Sequence, residues 1–209
     1  MRTFGLIAFL ILAACSEVPA GSAQPALERS IPDGAERALF AAGCFWCGES
    51  DFGRLEGVIQ TVSGFTGGHV DNPEYRAVVN GDTGHVEAVE VIYDPARISY
   101  DQLLHFYWRN VDPFDGRGQF CDRGPMYAPY IFTGNEAERS AALASAADVE
   151  ARFGRAVAVQ IRDVEVFWPA EDYHQNYASE NPVAYQRYRL GCRRDERLRQ
   201  IWGDEAGGH

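Results

Sequence analysis

The sequence predicts an α+β fold in which one mixed β-sheet is packed with helices. Segments with the two-residue period of a half-buried strand intermingle with segments of helical period, so strands and helices share one layer arrangement. The chain has 209 residues, of which 46% are hydrophobic and 12% aromatic. That is enough apolar material for one substantial core and hence one domain. No period of repeat length appears, which argues against a stacked array.

The first segment is a targeting sequence rather than part of the fold. Arg2 precedes an apolar run from Phe4 to Ala14, too short to cross a bilayer. The run leads into Leu-Ala-Ala-Cys at residues 12–15, which resembles the lipobox of bacterial lipoproteins. The resemblance implies that residues 1–14 are a signal peptide and that Cys15 is lipidated. Several acyl chains on one residue hold a membrane stably where a single chain would not. An ordinary cleaved signal peptide is the alternative. Ser16 in place of Asp looks, within the lipoprotein pattern, like release to an outer membrane. Residues 15–36 are lipidated Cys15 and a flexible tether rich in Ala, Pro, Gly, Ser and Glu. Either reading places the protein on the periplasmic side of a bacterial membrane, where unpaired thiols oxidise.

The folded domain is expected over residues 37–203, with a disordered tail at 204–209. Residues 37–43 read as a short buried strand ending at Gly43, and residues 46–57 as a helix closed by Gly57. Residues 58–68 and 85–94 alternate as strands, separated by turn chemistry. Ser99 caps a helix whose Tyr100, Leu103, Leu104, Tyr107, Trp108 and Val111 keep the helical period. A long Gly- and Pro-rich loop follows over 111–129, then a strand at 130–134. Asn135 is the candidate cap of an Ala-rich helix, residues 156–170 read as one further strand, and the remainder as loop and helix.

Composition removes several function classes. With 19 basic and 30 acidic residues the net charge is -11, which repels phosphate backbones and argues against nucleic acid as a partner. Every basic residue is Arg. Without Lys there is no Schiff base, no pyridoxal anchor and no Walker lysine.

The chemistry concentrates at Gly-Cys-Phe-Trp-Cys, residues 43–47. A cysteine where a strand gives way to a helix meets unpaired N–H groups and the positive end of the helix dipole. Both favour thiolate, the attacking species. Cys44 sits at that mouth and Cys47 lies within the first turn. The spacing also fits a thioredoxin-like dithiol or half of a zinc site, although no second Cys-x-x-Cys exists to complete the latter. Phe45 and Trp46 suit a pocket for an apolar group beside the nucleophile, or plain core.

Gly-Cys-Phe-Trp-Cys-Gly-Glu at 43–49, Gly-Phe-Thr-Gly-Gly-His-Val-Asp-Asn-Pro-Glu-Tyr at 64–75, Thr-Gly-His-Val-Glu-Ala-Val at 83–89 and Glu-Asp-Tyr-His-Gln-Asn-Tyr at 171–177 occur in that order. Together they resemble the A-type peptide methionine sulfoxide reductases, over residues 38–202. The resemblance implies a two-layer α/β plait of ferredoxin-like kind and reduction of the S epimer of methionine sulfoxide. It implies Cys44 as nucleophile, Glu87 as acid, Tyr75 and Tyr127 as the phenols that hold the sulfoxide oxygen, and Asp122 as a pocket carboxylate. Phe45 and Trp46 match the wall that receives the S-methyl group.

These residue types suit the reaction. A sulfoxide sulfur is a poor electrophile until its oxygen is protonated, and a carboxyl near apolar walls keeps its proton near neutral pH. Attack by Cys44 then leaves methionine and a sulfenic acid. Without the resemblance, Glu87 would read as an exposed strand carboxylate and each tyrosine as a core ring.

One stretch departs from the family pattern. Cys121, Pro125, Met126 and Ala128 replace its usual residues around Asp122 and Tyr127, so peptide recognition is expected to differ, with Met126 an oxidation liability at the pocket rim. The family's glycine-flanked resolving cysteines are missing, so no resolving role transfers by position. Cys47 and Cys192 are the candidates, with Cys121 a bystander. Cys192 is favoured because Arg189, Arg193 and Arg194 would lower its pKa, unless Asp195 and Glu196 pair those arginines in a solvated helix.

The expected protein is thus a monomeric, membrane-anchored reductase with no bound cofactor or metal, served by an external thioredoxin-like thiol reductant. Two rivals are a general thiol-disulfide oxidoreductase using Cys44 and Cys47, and a lipoprotein module that binds methionine side chains without turnover.

Overall fold

The computed structural model describes residues 30–207, so the signal segment, Cys15 and most of the tether lie outside the described residues. Six strands form the main sheet: β1 (Glu36–Ala41), β2 (Val58–Thr66), β3 (Val86–Tyr93), β6 (Tyr130–Thr133), β7 (Gln160–Asp163) and β8 (Phe167–Pro169). A separate two-stranded ribbon, β4 (Gly118–Gln119) with β5 (Asp122–Arg123), folds the long loop. The sheet order is β7-β6-β1-β3-β2-β8. All pairs are antiparallel except β6 with β7.

The four inner strands form the ferredoxin-like plait. The helix α1 (Phe45–Phe52) carries the chain from β1 over β3 to β2, and α3 (Tyr100–Arg109) carries it from β3 towards β6 beyond β1. On the helical face, Phe40, Phe65, Val89, Val91 and Ile131 of the sheet meet Phe52, Leu103, Leu104, Tyr107 and Trp108 of the helices. The helix α4 (Glu136–Phe153) and the C-terminal α7 (Arg194–Trp202) complete that layer through Ala142, Ala146, Leu198 and Trp202. A smaller cluster of Leu39, Ala41, Val62, Ala88, Phe132 and Phe167 fills the opposite face.

Local signals place the helix ends where the sequence marks them. Ser99 and Gln102 form a reciprocal capping box at α3, satisfying two orphan amides. Asn135 accepts from the Glu138 N–H at 2.9 Å to open α4.

Three expectations are corrected. Helix α1 ends at Gly53 rather than at Gly57. Gly57 instead has φ +98° beneath Ile98, whose Cγ2 would lie 2.7 Å from an added Cβ, so its glycine answers a close approach. Residues 156–170 make two short strands on opposite sheet edges, not one. From Asp163 to Phe167 the chain reaches at most about 14 Å, whereas flat edges would stand about 24 Å apart. The sheet therefore curls until its edges approach one another. Finally, residues 204–207 are anchored rather than a free tail. Glu205 accepts from Arg109 and Arg152, and the Gly207 N–H donates to the Arg109 carbonyl.

Candidate active site

Cys44 is the N-cap of α1, delivered by the end of β1 through Gly43. That glycine has φ +80°, and an added Cβ would lie 2.5 Å from Gln119 Cβ, so the turn that presents the thiol admits no side chain there. Glu87 projects from the second position of β3, buried in the same junction. The Phe45 N–H, the first free amide of the helix mouth, donates to Glu87 Oε2 at 2.9 Å.

Burial pushes the Glu87 carboxyl up to about 8, reinforced by the charges of Asp122 and Cys47 and opposed by the Phe45 N–H. The acid form therefore prevails at neutral pH. Tyr75 begins α2 (Tyr75–Val79) and Tyr127 ends the 3-10 turn Pro125–Tyr127. Each phenol senses the other, and both sense Glu87 and Cys44. Asp122, in the ribbon, accepts a 2.5 Å hydrogen bond from the Tyr188 hydroxyl. Burial holds its carboxyl above the usual range, opposed by Tyr188 and Arg194.

The apolar wall is more elaborate than two residues. Phe45 packs on Phe65, Tyr75 and His174. Trp46 stacks on Tyr177 with ring centroids 3.7 Å apart and donates its indole N–H to His174 Nδ1 at 3.1 Å. That bond places the imidazole proton on Nε2, which is buried without a partner. Burial keeps His174 neutral by lowering its pKa. Met126 is not at the rim but buried in the main core.

The thiols depart from the helix-mouth expectation. Cys44 is only 6% exposed, and burial, with Cys47 and Glu87 nearby, pushes its thiol well up. The dipole loses because its leading amide serves Glu87 rather than the sulfur. Cys47 is instead pulled down, first by a hydrogen bond from Cys44 and further by Arg194 and Arg189, against burial and Asp51.

Cys192 is bonded to Cys121 in a disulfide with Cα atoms 4.8 Å apart, so neither is a free thiol here, and among the described residues Cys44 and Cys47 are the buried free cysteines. Of the arginines expected to activate Cys192, Arg193 pairs with Glu196 at the surface while Arg189 and Arg194 turn inward to Asp51.

The structure thus brings Cys44, Glu87, Tyr75, Tyr127, Asp122, Phe45, Trp46 and Cys47 together and holds Cys192 in a disulfide at the margin. Tyr188, His174 and Tyr177 escaped assignment. His174 and Tyr177 lie inside the motif at 171–177, but nothing in a linear pattern ties them to Trp46. Tyr188, three residues after Tyr185 on α6 (Pro182–Gly191), reads as an ordinary helix tyrosine.

A model of the family described as peptide methionine sulfoxide reductase matches residues 36–206. The chain belongs to the peptide methionine sulfoxide reductase family. A relative from Caulobacter vibrioides named as peptide methionine sulfoxide reductase MsrA 2 is 46% identical over 195 residues, covering 93% of this chain and 97% of its own. Among solved structures, methionine sulfoxide reductase A of Corynebacterium diphtheriae superposes with TM-score 0.65 at 32% identity, covering 72% of this chain and 77% of that one. Reduced Mxr1 from Saccharomyces cerevisiae gives 0.70 at 26%, covering 74% and 90%. This member is an oxidoreductase that reduces peptide methionine sulfoxide.

Proposed function

We propose that this reductase works by attack of Cys44 on the sulfoxide sulfur while Glu87 protonates the oxygen. The observation that carries it is a buried carboxyl, held neutral to about pH 8, in the same junction as the thiol. Glu87 gives its proton to the oxygen and takes back the one that Cys44 sheds. The products are the thioether and a Cys44 sulfenic acid, so sulfur is reduced by two electrons and Cys44 oxidised by two. Tyr75 and Tyr127 stabilise charge on the oxygen. The Phe45–Trp46 wall seats the S-methyl group, and fixing methyl, oxygen and attack line selects the S epimer.

Cys47 then closes a disulfide with Cys44 and water leaves. It is a buried free thiol three residues along α1 from Cys44, and each affects the ionisation of the other, whereas Cys192 is already bonded to Cys121. An external dithiol of thioredoxin type restores the pair. Mxr1 has been crystallised with Trx2, which supports that class of reductant. The protein is anchored through lipidated Cys15 on the periplasmic side of its membrane, on the strength of the lipobox-like sequence. Palmitate labelling lost in Cys15→Ser tests the anchor.

The deciding experiment treats reduced protein with one equivalent of a methionine-(S)-sulfoxide peptide and maps disulfides by mass spectrometry. One methionine and a Cys44–Cys47 bond are expected, and Cys44→Ala should form neither. Undiminished reduction by Cys44→Ala would end this reading. Insulin reduction that persists in Glu87→Gln would favour the general oxidoreductase, and binding without methionine formation the lipoprotein module.

A further inference from the structure

Beneath Cys47 lies a buried group of charges that the reductase step does not use. Asp51, one helical turn beyond Cys47 on α1, takes two hydrogen bonds from Arg189 at 2.9 and 3.1 Å. Arg189 also holds Asp195 through Nε and Nη2, so its charge is answered by two carboxylates. Arg194 is not served in the same way. Its side chain is 2% exposed, and its nearest carboxylate oxygen is Asp51 Oδ2 at 3.8 Å from Nε.

Its other contacts are the neutral carbonyls of Ala42 and Asn110, at 3.2 and 2.6 Å, and the face of Phe120. The Arg194 Nε atom is buried with no hydrogen-bond acceptor. A guanidinium withdrawn from water without a close anion is costly. The guanidinium reaches the Ala42 carbonyl at one end and Asp51 at the other, bracketing the stretch that carries Cys47, and its charge helps to pull the Cys47 thiol down.

We propose that Arg194 is the counter-ion of a Cys47 thiolate and thus a positioning residue for the step in which Cys47 closes the disulfide with Cys44. This rests on the reading of Cys47 as the resolving thiol. The cationic neighbours of Cys47 are Arg189 from α6 and Arg194 from α7. Its acidic and phenolic neighbours are Asp51, Glu87, Tyr185 and Tyr188, and Cys44 is the remaining titratable group. The Cys44 thiol that donates to Cys47 is consumed when the sulfoxide is reduced. The guanidinium is not, so it still favours the anion when the sulfenic acid waits. In the closing step the Cys47 thiolate attacks the Cys44 sulfur, the sulfur–oxygen bond breaks, and the departing hydroxide takes a proton from Glu87 to leave as water.

The test follows full-length Arg194→Met and Arg194→Lys through one turnover without reductant, timing methionine formation and, by intact mass, conversion of sulfenic acid to disulfide. Arg194→Met should form methionine within about threefold of the wild-type rate but close the disulfide about tenfold slower than wild type at pH 7, with the ratio of the two closing rates narrowing as pH nears about 9, where a thiol ionises without a counter-ion. Arg194→Lys should fall between. Closing at the wild-type rate, or slowed equally at every pH, would overturn the assignment. If the variants do not fold, wild-type closing between about pH 6 and 7.5 decides. A rate within about twofold supports the ion pair, and a roughly tenfold rise per pH unit rules it out. Cys47→Ser separates the two readings: if it still forms an intramolecular disulfide at Cys44, the resolving role of Cys47 fails, whatever Arg194 does.

Discussion

The Phe45 N–H donates to Glu87 Oε2 at 2.9 Å where β1 passes into α1. This one contact joins the helix mouth to the central strand. The amide that would have stabilised a Cys44 thiolate is given to the acid, so the resting site holds a neutral thiol beside a carboxyl that keeps its proton.

Glu87→Gln keeps the shape and loses the proton. First-turnover methionine formation should fall by about 10²- to 10⁴-fold, the usual scale for a general acid. In the wild type that rate should decline as pH rises through about 8, where Glu87 ionises, and Glu87→Gln should lose this alkaline limb.

The same shift makes a stability prediction. Folded Glu87 holds its proton to about 8 against an ordinary 4.5, so unfolding releases a proton between those values. The contribution of Glu87 to stability is complete below about 4.5 and is lost as pH rises through about 8. Denaturant unfolding should therefore show Glu87→Gln gaining on wild type from pH 5 to pH 8.

Tyr188→Phe removes the 2.5 Å donor to Asp122 and the hydroxyl within reach of Cys44. A hydrogen bond to a charged acceptor corresponds to about a tenfold effect. Steady-state kcat/KM should drop by about that factor while the fold, followed by circular dichroism, stays intact.

Opening the Cys121–Cys192 bond releases a closed loop spanning 71 residues, which chain entropy rates at about 4 kcal/mol. Cys121→Ser with Cys192→Ser should lower Tm by roughly 10 °C, measured by calorimetry. First-turnover methionine formation should continue, since neither residue is assigned a part in that step.

Ser99→Ala breaks the capping box with Gln102 and should cost about 1 kcal/mol, read as a shift in denaturant midpoint with unchanged activity.

Patterns local in the chain were legible without coordinates. The Ser99 and Asn135 caps, the alternation of β3 and the motif around Cys44 follow from propensities and spacings that act over a few residues. The split of residues 156–170 between two sheet edges was not legible, because strand pairing is settled by distant partners, β6 on one side and β2 on the other. The bonding of Cys192 to Cys121, 71 residues away, was hidden for the same reason. The nearby arginines were visible, but their inward turn was not.

By itself, the sequence determined the class of fold and the family, and it picked out the candidate reacting groups, since those depend on residue type and short-range order. Tertiary structure alone decided their protonation. Whether a thiol or a carboxyl is charged depends on how much water and which opposite charges surround it. Here those surroundings come from β3, the ribbon and the C-terminal helices, which meet at Cys44 only in the folded chain.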